Sequence, residues 1–109
     1  MNYSYADYVS LFKALADQTR LKIVDLLSSG EMCACQLLDN FNITQPTLSY
    51  HMKILCDSGL VKGRPEGQWM YYSNNNEVIE TISVYLSEIG FNQNKCKSKQ
   101  VDSCCVRCN

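Results

Sequence analysis

The sequence predicts a mainly α-helical domain with one β-hairpin, the winged helix-turn-helix arrangement α-α-α-α-β-β-α. Three observations lead to this fold class. Apolar residues recur at helical spacing in four segments before residue 59. Two strand-like runs joined by a turn-forming trio follow at 60–73. One more segment with a helical apolar stripe then completes the order of elements. A small helical domain with a hairpin that binds nothing is the alternative interpretation.

The first three helices are predicted from apolar spacing and from residues that begin or end helices. Residues 5–16 carry apolar side chains at helical intervals. Asp17 is suited to be the N-cap of a second helix, which residues 28–30 (Ser-Ser-Gly) end. A short third helix is predicted from about residue 33 to residue 41, before a turn that leads to Thr44.

The fourth helix is predicted over residues 45–58. Thr44 is a good N-cap, Pro46 fits the first turn of a helix, and Gly59 ends the segment. Strands at 60–64 and 68–73 follow, joined by residues 65–67 (Pro-Glu-Gly). The last helix is predicted over 77–89. We therefore expect one folded domain over 1–91 and a flexible, cysteine-rich tail over 92–109.

Length and charge restrict the class of protein. A chain of 109 residues has room for one domain with a modest core, and such domains often gain core by dimerising. No apolar run approaches the roughly 18 residues of a membrane span, and the start does not resemble a signal peptide, so we expect a cytoplasmic protein without membrane contact. The net charge of −1 means that any contact with DNA must come from a few placed cations.

Seven cysteines and one histidine favour soft-ligand chemistry. In a reducing compartment the thiols stay free, which favours metal binding or redox sensing over a disulfide framework. A single histidine excludes the usual nitrogen-rich zinc, nickel or copper sites. That histidine has no nucleophile or carboxylate partner at motif spacing, and no glycine-rich phosphate loop is present, which argues against an enzyme.

Three stretches carry a resemblance to a known family: KALADQTRLKIVDLLSSGEMCAC, TQPTLSYHMKILCDSGLV and RPEGQWMYYS. Together they resemble the ArsR–SmtB family of metal-responsive repressors over about residues 12–73, without a gap. The resemblance implies a symmetric homodimer held by the first and last helices. It also implies that two recognition helices face one double-stranded DNA operator. Because successive major-groove entries lie about 34 Å apart, that operator is expected to be an imperfect inverted repeat.

The recognition helix offers candidate DNA contacts. With Leu48, Met52 and Leu55 inward, steps of about 100° place three residues on the outer face and Gln45 in the first turn. Lysine suits phosphate, while the others suit a base edge or the backbone. The resemblance adds two flanking positions, and packing against neighbouring helices is the alternative for Tyr50 and His51. The candidates are Gln45, Thr47, Ser49, Tyr50, His51 and Lys53, with Lys62, Arg64 and Gln68 on the wing.

Cys33 and Cys35 are the principal metal candidates. They match the position at which arsenite, cadmium and lead sensors of the family carry their thiolates. A helix N-terminus lowers a thiol's pKa, and soft thiolates select soft ions. The expected inducer is As(III) or Sb(III), with Cd(II) and Pb(II) as alternatives. Two small buried cysteines that only fill space are the structural alternative.

The Cys-Ala-Cys spacing suggests a mechanism. Residues i and i+2 of a regular helix point about 200° apart, so one ion can reach both sulfurs only along an extended stretch or after the first turn unwinds. Unwinding would supply the differential affinity that a switch needs, because the third helix supports the recognition helix.

A third sulfur ligand is not evident near this pair. Arsenite-responsive members often carry it at the position of Leu38, and Cys56 is better suited to the core. The tail is predicted to complete the site, to bind its own ion or to scavenge ions, and its ligands are Cys104, Cys105 and Cys108, with Cys96 upstream. The last helix has carboxylates but no histidine, so the family's zinc site is absent there.

Two rival functions stay open at this point. One keeps the fold and makes the cysteines a thiol redox or persulfide sensor. The other is a thiolate-rich metal carrier that does not bind DNA.

Overall fold

The computed structural model describes residues 3–91, so the predicted tail with Cys96, Cys104, Cys105 and Cys108 lies outside the described residues. The chain divides after Ile79 into two compact units, and residues 80–91 continue the last helix in the second. Within residues 3–91, no helix has the length and apolarity that crossing a membrane requires. The elements are α1 Tyr5–Leu15, α2 Gln18–Leu27, β1 Met32–Cys33, α3 Ala34–Leu38, α4 Gln45–Ser58, β2 Val61–Glu66, β3 Trp69–Asn74 and α5 Asn76–Phe91.

Polar side chains begin the helices as predicted. The Asp17 carboxylate accepts hydrogen bonds from the backbone N–H groups of Thr19 (2.9 Å) and Arg20 (3.1 Å). Thr44 caps α4, and Gly59 ends α4 with a left-handed φ of 90°. An N-cap of this kind contributes about 1 kcal/mol, and a left-handed residue favours glycine because it lacks a Cβ.

The inward face of α4 is confirmed. Leu48, Met52 and Leu55 are all buried, and they lie in the core with Ile23 of α2 and Leu60. α4 contacts α1, α2 and β2, so the recognition helix is held from several sides. Its outer face is thereby fixed relative to the wing, which is the β2–β3 hairpin.

Two parts of the sheet differ from the prediction. The sheet has three antiparallel strands in the order β1-β3-β2, because Met32 pairs with Tyr72 and Cys33 pairs with Tyr71. A strand of two residues shows no alternation that a sequence pattern can reveal. The third helix accordingly begins at Ala34 and ends at Leu38, inside the predicted 33–41.

The hairpin turn is tighter than predicted. Glu66 pairs with Trp69, so only Gly67 and Gln68 form the turn, and Gly67 has a φ of 64°. Pro65 lies in β2, opposite Met70. A proline is tolerated there because β2 is an edge strand.

Candidate thiol site and nucleic-acid interface

Cys33 and Cys35 lie next to each other at the junction of β1 and α3. Cys33 is the N-cap of α3 and has an extended backbone (φ −83°, ψ 163°), while Cys35 lies in the first turn. Their sulfur atoms are 3.5 Å apart. The predicted opposition of about 200° applies only when both residues are helical. Because Cys33 precedes the helix, the two sulfurs meet without any unwinding of α3.

The two thiols differ in acidity. The backbone N–H of Gln36 donates to the Cys33 sulfur and lowers the pKa of Cys33 below its ordinary value. The hydrogen bond between the two sulfurs raises the pKa of Cys35, because the protonated Cys35 thiol donates this hydrogen bond to the Cys33 thiolate. The Gln36 side chain accepts from the Cys33 backbone N–H at 2.9 Å, which holds this corner together. As pH rises, Cys33 therefore loses its proton before Cys35 does.

We expect iodoacetamide to alkylate Cys33 faster than Cys35 or Cys56 near neutral pH. The thiolate is the nucleophile, so the lowered pKa of Cys33 favours its reaction, whereas burial raises the pKa of Cys56. As pH rises, the Cys35 rate should approach that of Cys33. Tandem mass spectrometry of timed samples assigns each product. In Cys33→Ser, Cys35 should react faster than in the wild type, and preferential labelling of Cys35 in the wild type would contradict the assignment.

The thiol pair has no third ligand among residues 3–91. No cluster of three or more His, Cys, Asp or Glu side chains occurs in this part of the chain. Cys56 is half-buried on α4, consistent with the predicted core role. A third thiolate would have to come from outside the described residues, and the predicted ligands of the tail stay a prediction.

The outer face of α4 presents the expected polar residues. Tyr50 is 61 % exposed. Lys53 pairs with Asp57 at 3.2 Å, and both side chains are exposed. Such an exposed pair contributes at most about 1 kcal/mol, so a DNA phosphate can replace Asp57 at little cost. The exposed candidates on α4 are Gln45, Thr47, Ser49, Tyr50 and Lys53.

His51 does not share that outer face. Its side chain is only 12 % exposed, and Nδ1 lies 3.1 Å from Nη1 of Arg20 and 3.9 Å from the Asp17 carboxylate. Since Arg20 can only donate, Nδ1 of the neutral ring accepts this hydrogen bond. The geometry favours the packing alternative for His51 over a DNA contact.

Arg20 is a structural residue that the sequence patterns did not single out. Its Nε donates to the Ala14 carbonyl at 2.7 Å, so one guanidinium joins the end of α1, the start of α2 and the middle of α4. The backbone N–H of Arg20 also lowers the pKa of Asp17 by donating to its carboxylate. The only local signal was the position of Arg20 three residues after a predicted N-cap. Its contact with His51 spans 31 residues of sequence.

The wing candidates differ in their surroundings. Lys62 and Gln68 are exposed, on β2 and in the turn respectively. Arg64 instead donates to both carboxylate oxygens of Glu31 (2.9 and 3.0 Å) and to Glu66, and it lies over the Tyr71 ring. These carboxylates raise the pKa of Arg64 further above its ordinary range. Arg64 can therefore contact a DNA phosphate only by leaving its partners.

Comparisons with known proteins agree with this geometry. Residues 17–62 match the model of the bacterial regulatory protein arsR family. The arsenical resistance operon repressor of Staphylococcus aureus is 43 % identical over 100 residues, which cover 92 % of this chain and 96 % of that protein. A cadmium resistance transcriptional regulatory protein CadC homolog of the same species is 38 % identical over 77 residues, covering 70 % of this chain and 64 % of that protein.

A solved structure supports the fold. The homodimeric winged helix-turn-helix DNA-binding domain Mb0332 from Mycobacterium bovis superposes with a TM-score of 0.65 at 27 % identity, covering 83 % of each chain. The predicted winged helix-turn-helix class is confirmed.

Proposed function

The chain belongs to the arsR family of bacterial regulatory proteins, and on this premise we propose that it is a repressor released from its operator by trivalent arsenic or antimony at Cys33 and Cys35. The observation that carries the proposal is the sulfur–sulfur distance of 3.5 Å. Two bonds of about 2.3 Å from thiolate sulfurs to one pyramidal or tetrahedral centre span a similar separation, so both thiolates can hold one ion without unwinding α3. Cd(II) and Pb(II) are the alternative inducers. The metal-carrier alternative does not agree with family membership.

The site is connected to the elements that would read DNA. Cys33 pairs through its backbone with Tyr71 of β3, so the thiol corner shares a sheet with the wing. α3 also contacts β3. An ion bonded to both sulfurs replaces the hydrogen bond between them, acts on this sheet and alters how the wing sits beside α4. This route replaces the unwinding of α3 that the spacing alone suggested.

A homodimer is the proposed DNA-binding form. Tyr5 (81 % exposed) and Val9 (48 %) leave apolar surface on α1. Val84, Leu86 and Ile89 leave apolar surface on α5, each about half exposed. Exposed apolar surface of this kind favours association, and the M. bovis relative is described as homodimeric.

Operator release measured by fluorescence anisotropy tests the proposal. The protein is titrated onto a fluorescent duplex from its own promoter region, and arsenite, antimonite, cadmium, lead or a disulfide oxidant is then added. We expect the protein to bind the duplex as a dimer and to be released by arsenite. The slope of log affinity against log salt concentration should be shallow, on the order of −4 to −7. Protein that stays monomeric and ignores the duplex would overturn the DNA-binding part. Release by the oxidant alone would favour the redox or persulfide alternative. The short distance between the two sulfurs is also compatible with that alternative.

Lys53→Ala should weaken binding to all DNA sequences alike, whereas Gln45→Ala should relax preference at one base pair in each half-site. The reason is that lysine suits a phosphate, while a glutamine in the first turn of α4 can reach a base edge. Selection from a randomised operator library, with affinities measured at one salt concentration, separates the two effects. Asp57→Ala is the matched control, because it breaks the Lys53–Asp57 pair and keeps the lysine. Unchanged base preference in Gln45→Ala would refute direct readout by Gln45.

A further inference from the structure

An ion pair crosses the three-stranded sheet from one edge to the other. Arg64 of β2 donates from Nε and Nη2 to the two carboxylate oxygens of Glu31, at 3.0 and 2.9 Å. Glu31 directly precedes β1, and β3 lies between β1 and β2 in the sheet. The pair therefore joins the start of β1 to β2, and we call it the cross-sheet bridge.

Tyr71 of β3 lies between the thiol corner and this bridge. It pairs with Cys33 on one side and with Arg64 on the other. Residues directly opposite each other in adjacent strands present their side chains to the same face of a sheet. The guanidinium of Arg64 lies 5.0 Å from the centre of the Tyr71 ring. One row of side chains thus leads from Cys33 across β3 to Arg64.

The geometry of the cross-sheet bridge is that of a defined contact. Two parallel N–H···O bonds between a guanidinium and a carboxylate fix their orientation as well as their distance. The side chains of Glu31 and Arg64 are 38 % and 51 % exposed, and Glu66 accepts from a third nitrogen of the same guanidinium. Exposed ion pairs contribute little unless they are bidentate or belong to a network, and this pair meets both conditions.

Backbone pairing alone connects β1 to the wing through very few contacts. β1 consists of Met32 and Cys33, and each of them pairs with one residue of β3. Because β3 separates β1 from β2, the backbones of the two outer strands do not pair with each other. The cross-sheet bridge adds a side-chain connection from the thiol corner to the outer strand of the wing.

We propose that Glu31 is a positioning residue, which transmits inducer binding at the thiol pair to the wing by holding Arg64 across β3. The inference rests on the proposed function. An ion that bonds to Cys33 shifts β1, and Glu31 moves with it because it lies only two residues earlier in the chain. Since Glu31 binds two donors of Arg64, β2 follows, and the wing leaves the orientation in which it flanks α4.

Glu31→Gln is expected to bind the operator but to respond poorly to arsenite. Glutamine keeps the size of the side chain and removes the charge that binds Arg64. The measured quantity is the ratio of the operator dissociation constants with and without saturating arsenite, from fluorescence anisotropy at one salt concentration. This ratio should fall about tenfold below that of the wild-type protein, a change within the range of couplings between two sites.

Glu66→Gln is the matched control. It changes the net charge by the same amount and removes another acidic partner of Arg64. Glu66 lies on β2 itself, two residues after Arg64, so the cross-sheet bridge stays intact in this variant. The ratio should therefore keep its wild-type value.

Arg64→Gln tests whether Glu31 acts through Arg64. The ratio should fall as it does in Glu31→Gln, and the double variant should show no further fall, because both changes remove the same contact. Effects of the two changes that add up would contradict the proposal.

Protection of Cys33 from iodoacetamide gives a second readout, which reports ion binding directly. The arsenite concentration that halves the alkylation rate is measured with and without operator DNA. Coupling between two sites is reciprocal, so the operator should weaken arsenite binding in the wild-type protein and much less in Glu31→Gln. Without DNA the two proteins should bind arsenite equally, since Glu31 does not contact the ion.

The outcomes separate this inference from the function on which it rests. Equal ratios in Glu31→Gln and Glu66→Gln would overturn it and leave the proposed function standing. Loss of operator binding in Glu31→Gln, or altered arsenite binding without DNA, would also overturn it, because Glu31 would then serve only the local structure. If arsenite neither protects Cys33 nor releases the wild-type protein from the operator, the proposed function fails and this inference fails with it.

Discussion

Cys33→Ser and Cys35→Ser are each expected to leave operator binding intact and to abolish release by arsenite. Serine keeps the size of the side chain, while a hydroxyl is a poor ligand for a soft ion. The response should fall more than a hundredfold, because a coupling of about 3 kcal/mol between the two sites is lost. Fluorescence anisotropy measures both quantities, the operator affinity and the release caused by arsenite.

Two control variants test whether the loss of release is specific to Cys33 and Cys35. Cys56→Ser removes a thiol that lies outside the pair and should leave release unchanged. Serine at the four tail positions should weaken release by about tenfold, roughly 1.4 kcal/mol, if the tail donates one thiolate. Normal release from Cys33→Ser together with none from the tail variant would place the sensor in the tail.

Arg20→Ala is expected to lower the free energy of unfolding by about 2–3 kcal/mol. The change removes charged hydrogen bonds to the Ala14 carbonyl and to His51, which join three helices. Because α4 then loses one of its supports, operator affinity should fall as well, by about tenfold. Urea unfolding and anisotropy measure the two effects.

Lys13→Ala is the matched control, since it removes a nearby exposed cation while keeping the carbonyl that Arg20 contacts. Arg20→Lys should recover little of the lost stability or operator affinity, because an ammonium cannot reproduce the planar fork of a guanidinium. Equal stability of Arg20→Ala and Lys13→Ala would contradict a joining role for Arg20.

Most elements could be predicted because their determinants are local. Asp17, Thr44 and Gly59 begin or end helices through contacts within a few residues, and the buried stripe of α4 follows from helical spacing. The thiol geometry could not be predicted, because β1 is defined only by its pairing with Tyr71 and Tyr72. That pairing holds Cys33 in an extended conformation.

The contacts of the candidate DNA-binding residues were beyond local patterns for the same reason. Arg20 meets His51 across 31 residues, and Arg64 meets Glu31 across 33. Helical spacing places a side chain on a face but does not say which distant residue covers it. Helical spacing therefore placed Lys53 on the exposed face of α4, but it could not show that His51 packs against Arg20.

The carboxylates beside Arg64 have a consequence for how the proposed repressor distributes over a chromosome. Arg64 already has two acidic partners on the same chain, so DNA of random sequence gains little by contacting it. Non-specific affinity comes mainly from phosphate neutralisation, and weak non-specific affinity leaves fewer molecules held at the very many competing sites of a genome. For the proposed repressor, a small number of copies is then expected to suffice to occupy one operator. Molecules released by the proposed inducer are then expected to stay free in solution, because the surrounding DNA retains them only weakly.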